Sequence, residues 1–322
     1  MFLGKEDCTM RFFKIFAMLI GFICLAASSR AMASEADMQA FRDVYLQNMS
    51  EAKGYHLELM FNGPTLQSNV IADGQLWNNG AAVAEGRMSW DYTDLAAGQT
   101  KRTEMPFYAE RSGNVVVLYG NRGGQWQREN ILEGFTWILN AVSSDDRETK
   151  MKYAATVKDV KLEDVGKGQQ RMQVTFDGKE LSAVKDKAVR ESIAAMSEAD
   201  SRDAMATVVY LNAALAASDL KITWTVDKKT GETDMVAADL TDVMRNYAKA
   251  MLQDSYDGKI SLAQEEVDML ASIGYYYNLQ LYLVRNKESA KQVVIPTNVK
   301  NRAQEGNLFG DINSEVVSAL KK

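Results

Sequence analysis

Apolar and polar residues alternate with a period of two in five separate stretches, and a chain patterned in this way must bury one face of a sheet. In the first, Tyr55, Leu57, Leu59 and Phe61 fall on one side and His56, Glu58 and Met60 on the other. The same alternation returns in Met88, Trp90 and Tyr92, in Met172, Val174 and Phe176, in Leu220, Ile222, Trp224 and Val226, and in Tyr277, Leu279, Leu281 and Leu283. Parallel strands covered on both faces read as continuous apolar runs, so one-faced strands predict an antiparallel sheet. Three turns support the pairing: Asn121-Arg122-Gly123-Gly124, Gly166-Lys167-Gly168 and Asp227-Lys228-Lys229-Thr230-Gly231.

Helices interrupt these strands without alternating with each of them. Met38, Phe41, Tyr45 and Met49 recur at helical steps, with Gly54 as the expected stop. Ile131, Phe135, Ile138 and Val142 mark a second helix, and 181–196 with 205–215 a pair. A further pair is expected at 244–252 and 262–273. Beyond the leader only Pro64, Pro106 and Pro296 occur, so no proline-rich linker divides the chain. A single α+β domain over 34–322 is expected, with a C-terminal tail from about residue 304.

The first 33 residues have the layout of a secretory signal. Lys5, Arg11 and Lys14 precede the apolar run Ile15 to Ala27, and Ala31-Met32-Ala33 offers a cleavage point before Ser34. An uncleaved anchor is the alternative, but the run falls short of the roughly 20 residues that a spanning helix needs. Met10 offers a second start, since Met10 to Lys14 is by itself a compact positive region. Export to the periplasm or another extracytoplasmic envelope compartment is therefore expected. Both cysteines, Cys8 and Cys24, lie in the leader, so the mature domain relies on its core alone. No small residue directly precedes Cys24, which argues against lipidation there.

Removing the leader takes away four basic residues against two acidic ones, moving the net charge from −6 to −8. No basic stripe remains to neutralise phosphates, which excludes nucleic acid as an expected partner and disfavours electrostatic adhesion to anionic lipid.

Motifs that suggest catalysis have plainer readings. Ser182-Ala183-Val184-Lys185, Tyr210-Leu211-Asn212 and Lys229-Thr230-Gly231 come in the order of a penicillin-recognising serine enzyme. Their intervals are too short for that fold, and Lys229-Thr230-Gly231 sits in a turn where glycine supplies positive φ. His56 is the only histidine, which excludes multi-histidine zinc sites and places any triad on one mid-strand residue. Asp145-Asp146 and Glu265-Glu266 lack the oxygen spacing of a calcium loop. No catalytic residue, metal or cofactor is expected. The thirteen methionines and five tryptophans beyond the leader are the marked feature, since methionine adapts to irregular apolar spaces.

The run Leu220 to Met244, an apolar strand ending in Asp227-Lys228-Lys229-Thr230-Gly231 and returning through Met235 to Leu240, resembles the late hairpin of LolA-like and LolB-like envelope lipoprotein carriers. The resemblance extends loosely from Ala36 to Ala303, through the Asn121 to Gly124 turn with its following Trp126 and the closing Val293-Val294-Ile295-Pro296. It implies a strongly curved antiparallel sheet, an incomplete barrel covered by helices around an apolar cavity. The arginine that LolA-type carriers use inside that cavity has no recognisable counterpart. The resemblance points to a non-enzymatic envelope protein whose partner is a lipid or a lipidated protein. Its candidate ligand-lining residues are Leu220, Ile222, Trp224, Val226, Tyr277, Leu279, Leu281 and Leu283. If Trp224 lines a cavity, Trp224→Ala should weaken acyl binding at a cost below about 3 kcal/mol. The competing reading is a structural or interaction module whose interior is filled by its own side chains.

Overall fold

The structure, a computed structural model, describes residues 36–37, 39–41, 53–78, 82–112, 115–131, 151–152, 154–184, 209–289, 291–306, 308 and 320. The leader lies outside them, as do most of the helix expected from Met38 and the segments at 132–150 and 185–208.

Twelve strands form one open sheet. They are β1 (Lys53–Asn62), β2 (Leu66–Asn78), β3 (Ala82–Asp94), β4 (Gln99–Ser112), β5 (Val115–Arg122), β6 (Gln125–Ile131), β7 (Val157–Gly166), β8 (Gln169–Phe176), β9 (Leu220–Asp227), β10 (Thr233–Asp239), β11 (Asn278–Ser289) and β12 (Gln304–Glu305). Their spatial order is β12-β6-β5-β4-β3-β2-β1-β11-β10-β9-β8-β7, so β12 and β7 are the edges. Every pairing is antiparallel except that of β12 with β6. The three expected turns are present. At Gly166-Lys167-Gly168 all three residues adopt positive φ, Lys167 at 53°, which a non-glycine residue tolerates only at some cost.

Two positions differ from the sequence reading. Gly54 lies inside β1 and pairs with Gln75, so it does not close the preceding helix. Ile131 ends β6 opposite Val116 and does not begin a helix. In both cases cross-strand pairing outweighs local periodicity, because a strand flanked by partners satisfies its backbone groups wherever register demands.

The helices with both ends among the described residues are α1 (Thr241–Tyr256), α2 (Gln264–Tyr276) and the short α3 (Thr297–Arg302). Residues 178–184 and 209–216 are also helical. Val243, Met244, Tyr247, Ala248, Met251 and Leu252 give α1 its buried stripe at helical steps. Its start is fixed by Thr241, whose N–H donates to Asp239 Oδ1 at 3.0 Å and whose Oγ1 accepts from the Leu279 N–H at 3.0 Å. At the head of α2, Glu266 accepts the Ala263 N–H at 2.8 Å, placing a carboxylate at the positive end of the helix. The two helices approach closely where small residues meet: a Cβ on Gly274 would lie 3.8 Å from that of Ala248. Among the described residues no helix is long and apolar enough to cross a membrane.

Candidate functional site: one apolar face closed in two ways

Register aligns the alternating residues into rows that cross the sheet. One row runs Val160, Val174, Ile222, Ala238, Leu281, Leu59, Val70 and Trp90. The next runs Leu162, Met172, Trp224, Val236, Leu283, Leu57, Ala72, Met88 and Met105, nine strands of uninterrupted apolar side chains. The alternation legible strand by strand thus sums to a single apolar face from β7 to β4.

The first part of this face is packed under helices. Leu220, Ile222, Val226, Tyr277, Leu279 and Leu281 are buried, and all belong to one cluster with the apolar stripes of α1 and α2. Trp224 is 6% exposed; its ring lies 5.7 Å from that of Phe41 and 6.2 Å from that of Phe176. Tyr277 precedes β11 instead of belonging to it. It stacks on Phe61 at 4.6 Å, and its hydroxyl lies 2.6 Å from Thr65 Oγ1. Leu283 is only half-buried and pairs with Leu57 across β11 and β1. The eight sequence candidates therefore share one face, and Leu283 stands at its border.

Beyond that border the lining changes character. Ala72, Met105, Phe107 and Leu118 form a second buried cluster, ringed by half-buried Tyr55, Leu57, Ala84, Met88 and Ala109. Here Gly74 and Gly86 oppose each other in β2 and β3, and a Cβ on either would lie 2.1 Å from the neighbouring strand's carbonyl oxygen. Glycine is required for so close a backbone approach. The sequence reading caught only Met88 of this stretch, because glycine and alanine occupy the apolar phase of β2 and of the first half of β3. In β4, charged residues and Pro106 surround Met105 and Phe107. Pro106 is tolerated because it stands one residue outside the β4–β5 pairing.

Among the described residues, Leu308 is what fills this second cluster. Residues 291–296 and α3 run along the opposite face of the sheet, where Ile295 and Val299 pack with Val117 and Tyr119. β12 then pairs with β6, held by Arg128 donating to Glu305 at 2.9 Å. The chain next rounds the sheet edge, and fully buried Leu308 enters the apolar face. Its N–H donates to Glu129 at 2.9 Å and its carbonyl accepts from Arg122 at 3.4 Å. Gly120 leaves the room it needs: a Cβ there would lie 2.7 Å from a Leu308 methyl. On the far face, Lys300 pairs with Glu110, which also accepts the Tyr119 hydroxyl at 2.9 Å.

A polar group closes one end of the face. Arg285, opposite Tyr55 in β1, forms a bidentate pair with Glu232 at 2.8 Å and reaches Asp234 at 3.4 Å, and Gln169 also donates to Asp234. The Glu232 hydrogen bond raises the guanidinium pKa above its already high ordinary value. Arg285 Nε is buried without a hydrogen-bond partner. Burial, then the nearby Asp73 and Glu85 charges, push the Tyr55 phenol well above its ordinary range. Sequence reasoning had no signal for Arg285 beyond its being the charge that ends an apolar run.

The motifs suggestive of catalysis are dispersed. The Ser182 hydroxyl donates to the Lys179 carbonyl at 2.8 Å inside its own helical turn, and Lys185 lies outside the described residues. Lys229 belongs to the turn capped by Asp227, whose Oδ1 accepts its N–H at 2.8 Å. His56 faces away from the apolar side and lies 2.6 Å from Asp73. Glu265 and Glu266 occupy the first turn of α2, while Asp145-Asp146 lies outside the described residues. Among the described residues no group of three or more His, Cys, Asp or Glu is placed to hold a metal ion.

No family model matches the chain, and no curated protein matches it. Among solved structures, the crystal structure of LprF from Mycobacterium bovis aligns over 83% of this chain and 99% of its own length, with 14% identity and a TM-score of 0.39. A likeness of that size assigns neither a family nor a function.

Proposed function

We propose that this chain is a non-enzymatic, exported envelope protein of LolA-like fold. Its ligand is an acyl chain or another apolar molecule, held between the sheet and the segments that cover its apolar face. The observation that carries this reading is the width of that face. Its apolar rows extend past the part packed under α1 and α2 into the methionine-lined stretch of Ala72, Met88, Met105, Phe107 and Leu118. Methionine repacks at little cost, so such a lining accepts variable apolar shapes. Leu57 and Leu283 form the border between the two stretches, and the ligand lies against the second.

The structural-module reading is favoured by a different observation: Leu308, a residue of the chain itself, already occupies the second stretch. Lipid extraction from the gently purified protein, followed by mass spectrometry, separates the two. Ligand binding requires a near-stoichiometric acyl-bearing species that a fluorescent fatty acid can replace. A protein that emerges empty and ignores the fatty acid is a structural module.

A further inference from the structure

Two long charge-free stretches and a shorter one converge at one end of the sheet. No Asp, Glu, Lys or Arg occurs between Glu58 and Asp73, between Asp94 and Lys101, or between Asp268 and Arg285, although a quarter of all residues are charged. Folding brings them together. The Leu95 N–H, in the turn after β3, donates to the Thr65 carbonyl at 2.9 Å. Thr65 in turn meets the Tyr277 hydroxyl at 2.6 Å. Gly63 lies so close beneath Tyr277 that a Cβ there would be 2.2 Å from the ring.

The side chains at this end are apolar and outward. Tyr275 is 69% exposed, Tyr276 65% and Leu95 42%, and Pro64 is exposed as well. The two tyrosine rings stand 6.2 Å apart. The charges beside them are engaged: Arg245 donates to Asn278 at 3.1 Å, and the Lys101 ammonium lies 5.7 Å from the Tyr92 ring centre. Tyr256 and Val294 are also exposed, but Tyr256 ends α1, away from its start beside Leu279, and Val294 precedes α3.

We infer that this rim rests on the surface of a lipid bilayer, with Tyr275 and Tyr276 at headgroup depth and Leu95 below them. An uncharged rim of tyrosine and leucine matches the membrane interface, where amphipathic rings settle with one side wet and the other apolar. The net charge, −6 for the whole chain and −8 without the leader, removes attraction to anionic lipid, so apolar insertion supplies the adhesion. A protein partner of ordinary composition would be met by free hydrogen-bonding and charged groups at the margin, whereas the described charges beside this rim, Arg245 and Lys101, are turned to Asn278 and the Tyr92 ring. The inference stands whether or not the apolar face takes a ligand.

The test is flotation of the purified chain with neutral phosphatidylcholine vesicles at low and high salt. Three proteins are compared: wild type, Leu95→Ser/Tyr275→Ser/Tyr276→Ser, and the control Tyr256→Ser/Val294→Ser. Wild type and control should float equally at both salt concentrations, and the triple variant should partition at least about tenfold more weakly. Tyr275→Trp/Tyr276→Trp should retain or strengthen flotation, which guards against a folding artefact, as does an unchanged thermal midpoint of the triple variant. The inference is overturned if wild type does not float, if the triple variant floats as wild type does, if only anionic vesicles retain the chain, or if the rim crosslinks to a protein while vesicles do not bind. Fatty-acid binding in solution, read on the same triple variant, should be unchanged, so a failed rim and a failed ligand reading are told apart.

Discussion

The two stretches of the apolar face share a sheet and a register but are closed by different means. Under α1 and α2, Ile222, Leu281 and Tyr277 meet helix stripes in a single large cluster. A few strands away, Met88, Met105 and Phe107 meet Leu308, which reaches them only after the chain has rounded the sheet edge. Branched and aromatic side chains under regular helices fix one packing, whereas methionine, alanine and glycine, met among the described residues by Leu308, leave several open. One apolar face is thus closed in two ways, by regular helices over one stretch and by a leucine of the tail over the other.

The largest expected effect breaks the helix-packed stretch. Trp224→Ala should cost about 3 to 5 kcal/mol, the range for large-to-small changes in a packed core, because the ring is held between Phe41 and Phe176. Denaturant titration reads the cost. Acyl-probe binding by the remaining folded fraction should be unaltered; weakened binding at a cost below about 3 kcal/mol would return Trp224 to the site.

Leu308→Ala probes the second stretch from above. A stability loss of about 2 kcal/mol is expected, at the low end of buried leucine truncations, together with tighter fatty-acid binding because the occupant has been trimmed. Met88→Ala attacks the same stretch from the sheet. Since Met88 is half-buried, about 1 kcal/mol is expected, with clearly weaker acyl binding in a fluorescence titration. Equal behaviour of these two variants would erase the distinction between cover and lining.

How much of this was legible beforehand follows from side-chain chemistry. The ladders in β1, β3, β8, β9 and β11 were readable because their buried phase is filled by large apolar residues. β2 and β4 were not, since the same phase holds Ser68, Ala72 and Gly74 in one and Lys101 and Thr103 in the other. The eight candidate residues lie on one face, with Tyr277 just before β11, yet alternation cannot say what covers that face. The path of the tail was beyond local reading, because Leu308 packs against Gly120 and Met105, far earlier in the chain.

The smallest expected effect concerns pH and the strand-like tail. Burial and the hydrogen bond to Glu110 push the Tyr119 phenol up to about 12. The folded protein therefore holds this proton more tightly than the unfolded chain does. Its contribution is complete below the ordinary value of 10 and is lost as pH rises towards about 12. Tyr119→Phe should flatten this alkaline loss in stability measurements across that window, and an unchanged slope would detach Tyr119 from the anchoring of α3.

The most direct test of the claim that the methionine-lined stretch receives the ligand is photolabelling with a diazirine-bearing fatty acid, followed by peptide mass spectrometry. Adducts should concentrate on peptides carrying Leu57, Met88 and Met105 and should disappear with excess unlabelled fatty acid. Absence of competable adducts, or adducts confined to the peptides of Ile222, Trp224 and Tyr277, would contradict it.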